Sequence, residues 1–520
     1  MSFDRFWTDL RQQYVDATPK IRSVIENTIR NLPRVLIDTT TGRLYDKTQQ
    51  AAAFEGLTIY DEMRSSMITQ LDEERISREV KEYYRYVMLS HRWEFNEPLF
   101  QAVEHISIYH LEASPANIKL RTFCTIVGSL GFRWVWSDTC CINKKDNVVL
   151  QESLVAMFTW YHGSALTIVY LRGIFSESQR PGDLRRSTWN TRAWTFQEYV
   201  AAENVQFYTE DWKPYLGLDM FNHKQSPAII SEMEQASGVS AQELDVLRPH
   251  LNDVRQKLYL ASMRKTTLVE DIAYSLYGIF NASLPVIYGE GPQAVGRLLE
   301  HVLTGSGDVT VLAWTGCAGR YNSCLPLDLT VYNQIVPPHT QLIEATDIER
   351  TVTELRSSYS DLSLVEMLYD RLHALPSPSL AASRLRLPGI VFPITELVRI
   401  SESKPMSSLH IYRATTSALG EVEIRTADDL TVMNDLCLVH PWIRTLFDQA
   451  FLDGNAGLNK TTKALRLVAR LRQEFGALLF APLSRVDYRR VATDSSIMVR
   501  VCEETSLADL MDSIRTIEVK

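Results

Sequence analysis

No segment of the chain approaches the ~20 consecutive apolar residues that a membrane-spanning helix needs, so no membrane span is expected. The opening Met1-Ser2-Phe3-Asp4-Arg5-Phe6-Trp7 has no basic segment followed by an apolar run, so no secretory signal is expected either. Cysteine is sparse. The seven cysteines (124, 140, 141, 317, 324, 437 and 502) are odd in number, scattered, and contain no Cys-x-x-Cys pair. That pattern excludes a disulfide framework and suits reduced thiols in the cytosol, giving a cytoplasmic location. The adjacent Cys140 and Cys141 make a poor metal clamp, because successive side chains on an extended chain point to opposite sides. The eleven histidines include no His-Glu-x-x-His or zinc-type spacing, so no metal site is expected. Positive charge is also in deficit. With 54 Lys and Arg against 63 Asp and Glu, the formal net charge is -9, and the chain-wide basic field of a nucleic-acid binder is missing.

What is present is an ordinary globular composition, 45% apolar and 22% charged, on a chain of 520 residues that is too long for one hydrophobic core. Residues 1–80 read as a helical extension. Phe6-Trp7 and Leu10 begin an amphipathic run, Pro33–Asp38 reads as a short strand, and Thr40-Thr41-Gly42 as a turn. The alternating acids and bases of Leu71–Tyr84 suit a solvated helix face. The character then changes. Tyr86–Leu89, Phe132–Trp136 and Ala165–Leu171 are short, continuous apolar runs, as expected of strands buried on both faces of a parallel sheet.

Helix signals separate these runs. Ser114-Pro115 offers an N-cap followed by proline at the first helical position, with Phe123, Ile126, Val127 and Leu130 as the apolar face and Gly131 as the stop. Asp146 can cap a second helix whose stripe is Leu150, Leu154, Phe158 and Tyr161, closed by Gly163. The alternation predicts an α/β fold, doubly wound around a mostly parallel sheet, with helical additions. Ligands of such sheets bind beyond the carboxyl ends of the strands. That collects Ser90-His91-Arg92, Asp138 with its following loop, and Arg172 on one rim.

The stretch Thr188–Glu198 comes next and can close that rim. With a helix starting near Thr191, Trp194 and Glu198 fall one turn apart on one face. Two readings stay open at this point. The pair can floor a site for a flat cationic ligand, or the indoles can simply pack a core with Glu198 at its edge.

Residues 200–300 read as helical. Gly289-x-Gly291-x-x-Ala294 matches a dinucleotide-loop spacing on paper, but Pro285 spoils the preceding strand, and a turn before a helix over Val295–Leu303 is the better account. Residues 374–388, rich in proline and serine, read as a linker or exposed loop. Beyond them Leu409–Tyr412, Val422–Ile424 and Met498–Val501 read as strands around a helix near Thr462–Phe475. The expected division is an N-terminal extension (1–80), an α/β domain with a helical second half (81–320), a connecting region (321–388) and a separate β-rich α+β C-terminal domain (389–520).

Four blocks in series resemble a known family. Tyr86-Val87-Met88-Leu89-Ser90-His91-Arg92-Trp93, Trp136–Asn143, Arg192–Glu198, and Glu270-Asp271 through Tyr288–Gly291 are similar, in order and spacing, to the fungal heterokaryon-incompatibility (HET) domain. His91, Arg92 and Glu94 depart from the usual first block, and Lys144 stands where glutamine is common. HET domains in turn look like distant relatives of TIR domains, some of which hydrolyse NAD through a glutamate in a Trp-x-x-x-Glu helix. The resemblance implies a TIR/flavodoxin-like sheet and a role in regulated cell death on non-self recognition. It also implies a homo-oligomer on activation and an upstream recognition protein as partner. Glu198 becomes the candidate catalytic residue, with Trp194, Ser90, His91, Arg92, Trp93, Asp138, Asn143 and Arg192 as candidate substrate contacts. NAD or a related nucleotide is the expected substrate, with no permanently bound cofactor.

The chemistry asks little of the protein. Nicotinamide leaves as a neutral pyridine and needs no proton, so one carboxylate beside an oxocarbenium-like centre suffices. Glu198 would have to be ionised, as an unperturbed glutamate with a pKa of ~4.3 is at neutral pH. Trp194 would stack on a flat ring, and Arg92 or Arg192 would meet the pyrophosphate. Asp138 suits either a ribose contact or capping of its own loop. The competing expectation is a non-catalytic module that signals by self-assembly, with Glu198 supporting the fold.

Overall fold

A computed structural model describes residues 18–65, 73–240, 253–333, 345–359, 361–400, 409–433, 435–442, 458–484, 486–502 and 506–520, together with Gln242 and Leu244. The amphipathic run at Phe6-Trp7 and Leu10 lies outside the described residues. The chain forms two compact units. The first comprises residues 1–249, 264–267 and 274–279, and the second the remainder.

The first unit is built on a six-stranded sheet in the order β2-β1-β4-β3-β5-β6. Its strands are β1 (Val35–Asp38), β2 (Leu44–Asp46), β3 (Tyr86–His91), β4 (Trp134–Trp136), β5 (Leu166–Leu171) and β6 (Val205–Thr209). β3 to β6 are parallel, while β1 and β2 form an antiparallel hairpin on the β4 edge. The helices are α1 (Thr18–Arg30), α2 (Lys47–Glu55), α3 (Thr58–Ser65), α4 (Glu73–Tyr83), α5 (Phe100–Val103), α6 (Pro115–Ser129), α7 (Asp138–Cys141), α8 (Asn147–His162), α9 (Asp183–Arg186), α10 (Ala193–Ala201) and α11 (Pro227–Ser237).

The strand order fixes which helices share a face. The chain steps from β3 outward to β4, then crosses back over β3 to β5 and continues to β6. With right-handed crossovers, reversal of direction puts α6 on one face and both α8 and α10 on the other. The point of reversal, at the carboxyl end of β3 and β5, is where a crevice opens in sheets of this kind.

Local chemistry explains the main helices. Ser114 Oγ accepts the Asn117 N–H at 3.2 Å, Pro115 opens α6, and Gly131 takes a left-handed φ of 86° just past its end. The buried face of α6 is Leu120, Phe123, Cys124 and Val127, and Leu130 is exposed. The stripe is therefore rotated toward the N-terminus from the one expected. Asp146 caps α8 by accepting the N–H groups of Val148 and Val149 at 3.0 and 3.2 Å. The stripe of α8 is Leu154, Met157, Phe158, Trp160 and Tyr161.

β6 overturns the helical reading of the residues just after 200. Gln206 and Thr209 interrupt its apolar run, yet all five residues are buried because Thr209 Oγ1 donates to Lys213 O at 3.0 Å and Gln206 Nε2 to Met220 O at 3.3 Å. On its outer edge, Val205 N–H donates to Asn222 Oδ1 (3.1 Å), Phe207 N–H to His223 Nδ1 (3.0 Å) and Thr209 N–H to Lys213 O (2.9 Å). Burial pulls His223 down to about 4, which keeps its ring neutral and able to accept.

Gly278 lies where α8 and α10 are braced. A Cβ there would come within 2.2 Å of Phe158 Cβ and 3.1 Å of Gln197 Oε1. Gly278→Ala is expected to lower stability by about 1–3 kcal/mol through overpacking, read as a lower denaturant midpoint.

The second unit carries a nine-stranded, mostly antiparallel sheet, β7 (Ser379–Ala381), β8 (Arg384–Arg399), β9 (His410–Thr416), β10 (Gly420–Thr426), β11 (Cys437–Pro441), β12 (Phe475–Pro482), β13 (Asp487–Arg490), β14 (Ile497–Val501) and β15 (Ile514–Val519). Pairing of β8 with β11 and of β12 with β14 closes the sheet on itself. The Lys460–Leu471 helix packs its buried leucines into the same core as Phe392, Tyr412 and Val499. Phe475 opens β12 and does not end that helix. Most of 379–388, read as linker, is strand. β7 and β8 form a hairpin whose two turn residues, Ala382 and Ser383, have φ of 51° and 59°. That turn prefers Asn-Gly, so Ala-Ser hides it. Gly289 and Gly291 both donate N–H to Glu270 Oε1, at 2.9 and 3.0 Å, in a turn before the Gln293–Ser306 helix, with no strand preceding it. The dinucleotide-loop spacing is thus a coincidence of turn chemistry.

Candidate active site

Alternation along β3 separates two neighbours that read as one block. Ser90 and His91 occupy successive positions of a strand and therefore face opposite sides of the sheet. Ser90 faces α10, where its Oγ donates to Glu198 Oε2 at 2.5 Å. Trp189 Nε1 donates to the same Ser90 Oγ at 2.7 Å. The Trp189 ring is held edge-on by Phe207 at 5.6 Å and Tyr199 at 6.2 Å. Tyr161 adjoins Glu198 and donates its hydroxyl proton to Leu89 O at 3.0 Å.

Glu198 is 5% exposed. Burial is the largest influence on it and pushes the carboxyl up to about 8. The Ser90 hydrogen bond opposes this, the Asp138 charge adds to it, and Arg192 and Tyr161 pull it down. The expectation of an ordinary, ionised glutamate is therefore corrected. Burial favours the protonated carboxyl at neutral pH, and Glu198 forms no ion pair among the described residues.

A second layer faces solvent. Trp93 is 40% exposed and donates its indole N–H to Asp138 Oδ2 at 2.5 Å. Lys144 Nζ sits 3.3 Å from the centre of the Trp93 ring, and Arg192 Cζ lies 6.0 Å from it. Burial lowers Lys144, with Asp138 opposing. This gathers two cations, one carboxylate and one indole beside the Ser90–Glu198 pair. Arg264 braces the start of α10, Nη1 donating to Arg192 O at 3.1 Å.

The other predicted residues lie elsewhere. His91 faces the α6 side, its Nε2 3.5 Å from Glu97 Oε1. There Glu97 pairs with Lys119, Lys119 also reaches Glu94 at 3.6 Å, and Arg172 reaches Glu94 at 3.4 Å. Burial would raise Glu97, but the neighbouring His91 and the Lys119 ammonium hold it down at about 2. Asn143 accepts from Gln101 Nε2 at 2.7 Å and from Lys145 N–H at 3.1 Å, which ties down its own loop. Arg92 is exposed, with no ion pair among the described residues. Trp194 is buried one turn before Glu198, and its ring joins no aromatic contact among the described residues. The indole seen to hold the pair is Trp189. Sequence reasoning also missed Tyr161, Glu97 and Lys119, whose roles depend on contacts across 22 or more positions and leave no local signal.

Residues 86–183 match the family described as "Heterokaryon incompatibility protein (HET)". Over 233 residues the chain is 33% identical to "Vegetative incompatibility protein HET-E-1" of Podospora anserina, a match covering 42% of this chain and 16% of that protein. The chain thus spans about a sixth of the relative's length. No solved structure matches it. The matched segment, residues 86–183, supplies Ser90, Trp93, Asp138 and Tyr161, and it is this part of the chain that is similar to the heterokaryon-incompatibility (HET) family.

Proposed function

We propose that the chain is an effector of fungal heterokaryon incompatibility and triggers regulated cell death. In this reading it hydrolyses the nicotinamide–ribose bond of NAD, with Glu198 as the catalytic carboxyl. The match to a vegetative incompatibility protein supports the biological role. The order β4-β3-β5-β6 agrees with a TIR/flavodoxin-like sheet, whose ligands lie at the reversal point beside β3. The observation that carries the chemical reading is the buried Ser90–Glu198 pair at that point, beside Trp93, Lys144 and Arg192.

The raised Glu198 carboxyl is compatible with this chemistry because the substrate brings its own positive charge. A pyridinium ring in the low-dielectric site favours the carboxylate and expels the proton. The C1′–N bond then breaks with both electrons leaving on nicotinamide, the carboxylate offsets the charge growing on the ribose, and a water oxygen bonds to C1′ as it loses a proton. Lys144 and Arg192 supply positive charge for the pyrophosphate.

The near-complete burial of Glu198 favours a second reading, in which the HET domain signals by self-assembly without turnover. Incubating the full chain with NAD, alone and fused to an oligomerising scaffold, separates the two. Nicotinamide release that falls about 10³-fold or more in Glu198→Gln supports the enzyme, the size being that of removing a principal charge-stabilising group. No release from either form, with cell killing intact in Glu198→Gln, overturns it.

A further inference from the structure

Trp189, Ser90 and Glu198 form a chain of hydrogen bonds with only one consistent direction. An indole N–H donates and cannot accept, so the Trp189 proton fills one lone pair of Ser90 Oγ at 2.7 Å. Ser90 has a single proton of its own, and Glu198 Oε2 at 2.5 Å is its one side-chain or backbone acceptor among the described residues. Oε2 is therefore occupied as an acceptor. The remaining oxygen, Oε1, is then the favoured place for the proton of the neutral form, because a proton on Oε2 would leave the buried Ser90 hydroxyl without an acceptor.

We infer that Trp189 and Ser90 are positioning residues for Glu198. Their directed chain confines the exchangeable proton of the carboxyl to Oε1 and stabilises the carboxylate through Oε2. The inference concerns the site assigned above, but it describes an acid–base property of the resting protein and does not require turnover. Ser90 has a role here other than nucleophile, since the atom that would attack is already an acceptor from one neighbour and a donor to the other. The indole earns its place through its N–H as well as its packing, because phenylalanine would fill much of the same space without donating.

The test is an infrared titration of the full chain. The carbonyl stretch of the protonated Glu198 carboxyl is identified by its loss in Glu198→Gln and followed across pH. Ser90→Ala removes a hydrogen bond to the charged form and should move the midpoint up by about 1–2 pH units. Ser90→Thr, which keeps a hydroxyl, should restore it, and Ser90→Cys, a weak donor, should lie between. Trp189→Phe should raise the midpoint by less than Ser90→Ala, and should add nothing in the Ser90→Ala background. An unmoved or lowered midpoint in Ser90→Ala overturns the inference. So does a Trp189→Phe shift that persists without Ser90, which would show the indole acting through packing alone. Failure to detect nicotinamide release would count against the NAD reading and leave this titration intact.

Discussion

Glu198→Gln will stabilise the first unit, and the gain will widen as pH rises. In the unfolded chain Glu198 loses its proton near its ordinary value of 4.5, whereas in the fold burial holds it until about 8. Between these values the folded state binds one more proton than the unfolded state, so stability falls with increasing pH. The contribution is fully present below the lower value, is lost as pH climbs through the upper one, and is constant beyond it. Glutamine mimics the neutral carboxyl and accepts from Ser90 without titrating. At roughly 1.4 kcal/mol per pH unit the full difference is on the order of 3–5 kcal/mol, or about 10 °C in melting temperature at pH 9. Melting curves of both proteins from pH 5 to pH 9 check this. Parallel curves would mean that Glu198 is ionised throughout and that its burial is relieved by something in solution.

Lys119→Met should have the opposite sign and a comparable size. Lys119 is 3% exposed, and its ammonium is the cation paired with Glu97, whose side chain is 5% exposed. Methionine fills the space of the alkyl stem but leaves Glu97 and Glu94 with too little positive charge. Breaking one partner of a buried pair typically costs about 3–5 kcal/mol. Glu97 is held at about 2 in the fold against an ordinary 4.5. Its stabilising contribution is therefore present above the higher value and lost as pH falls through the lower one. The Lys119→Met deficit should thus be largest near neutral pH and shrink on acidification toward pH 3, where an unpaired Glu97 can take up a proton. Adding Glu97→Gln should recover much of the loss at pH 7. Urea midpoints of the single and double variants at both pH values decide it, and a deficit that does not depend on pH would assign Lys119 to packing alone.

These two groups show where reading a sequence succeeds and where it stops. Helices α6 and α8 were legible because their starts are written locally, in Ser114-Pro115 and Asp146. Strands β3, β4 and β5 were legible because continuous apolar runs have few other uses. β6 was not, since Gln206 and Thr209 find partners only after folding. The β7–β8 hairpin was hidden by a turn made from Ala382 and Ser383, where neither residue advertises a positive φ. At the site, Glu198 could be singled out from its helix and its family resemblance, and Ser90 from its place at a strand end. The partner Trp189 was in view but could not be preferred to Trp194, because helical spacing says nothing about a strand 99 residues away. The protonation state was beyond reach for the same reason. It depends on how much water the surrounding elements exclude, which no residue encodes by itself.

The outer rim of β6 has a consequence for assembly. Its three outward amide protons, on Val205, Phe207 and Thr209, are already taken by Asn222, His223 and Lys213. At the far side, β2 is only three residues long. Neither margin offers a neighbouring molecule the ladder of open donors that fibril growth by strand addition requires. If copies of this unit associate, they do so through helices and loops, and a filament of them should lack the ~4.8 Å meridional spacing of cross-β order in fibre diffraction.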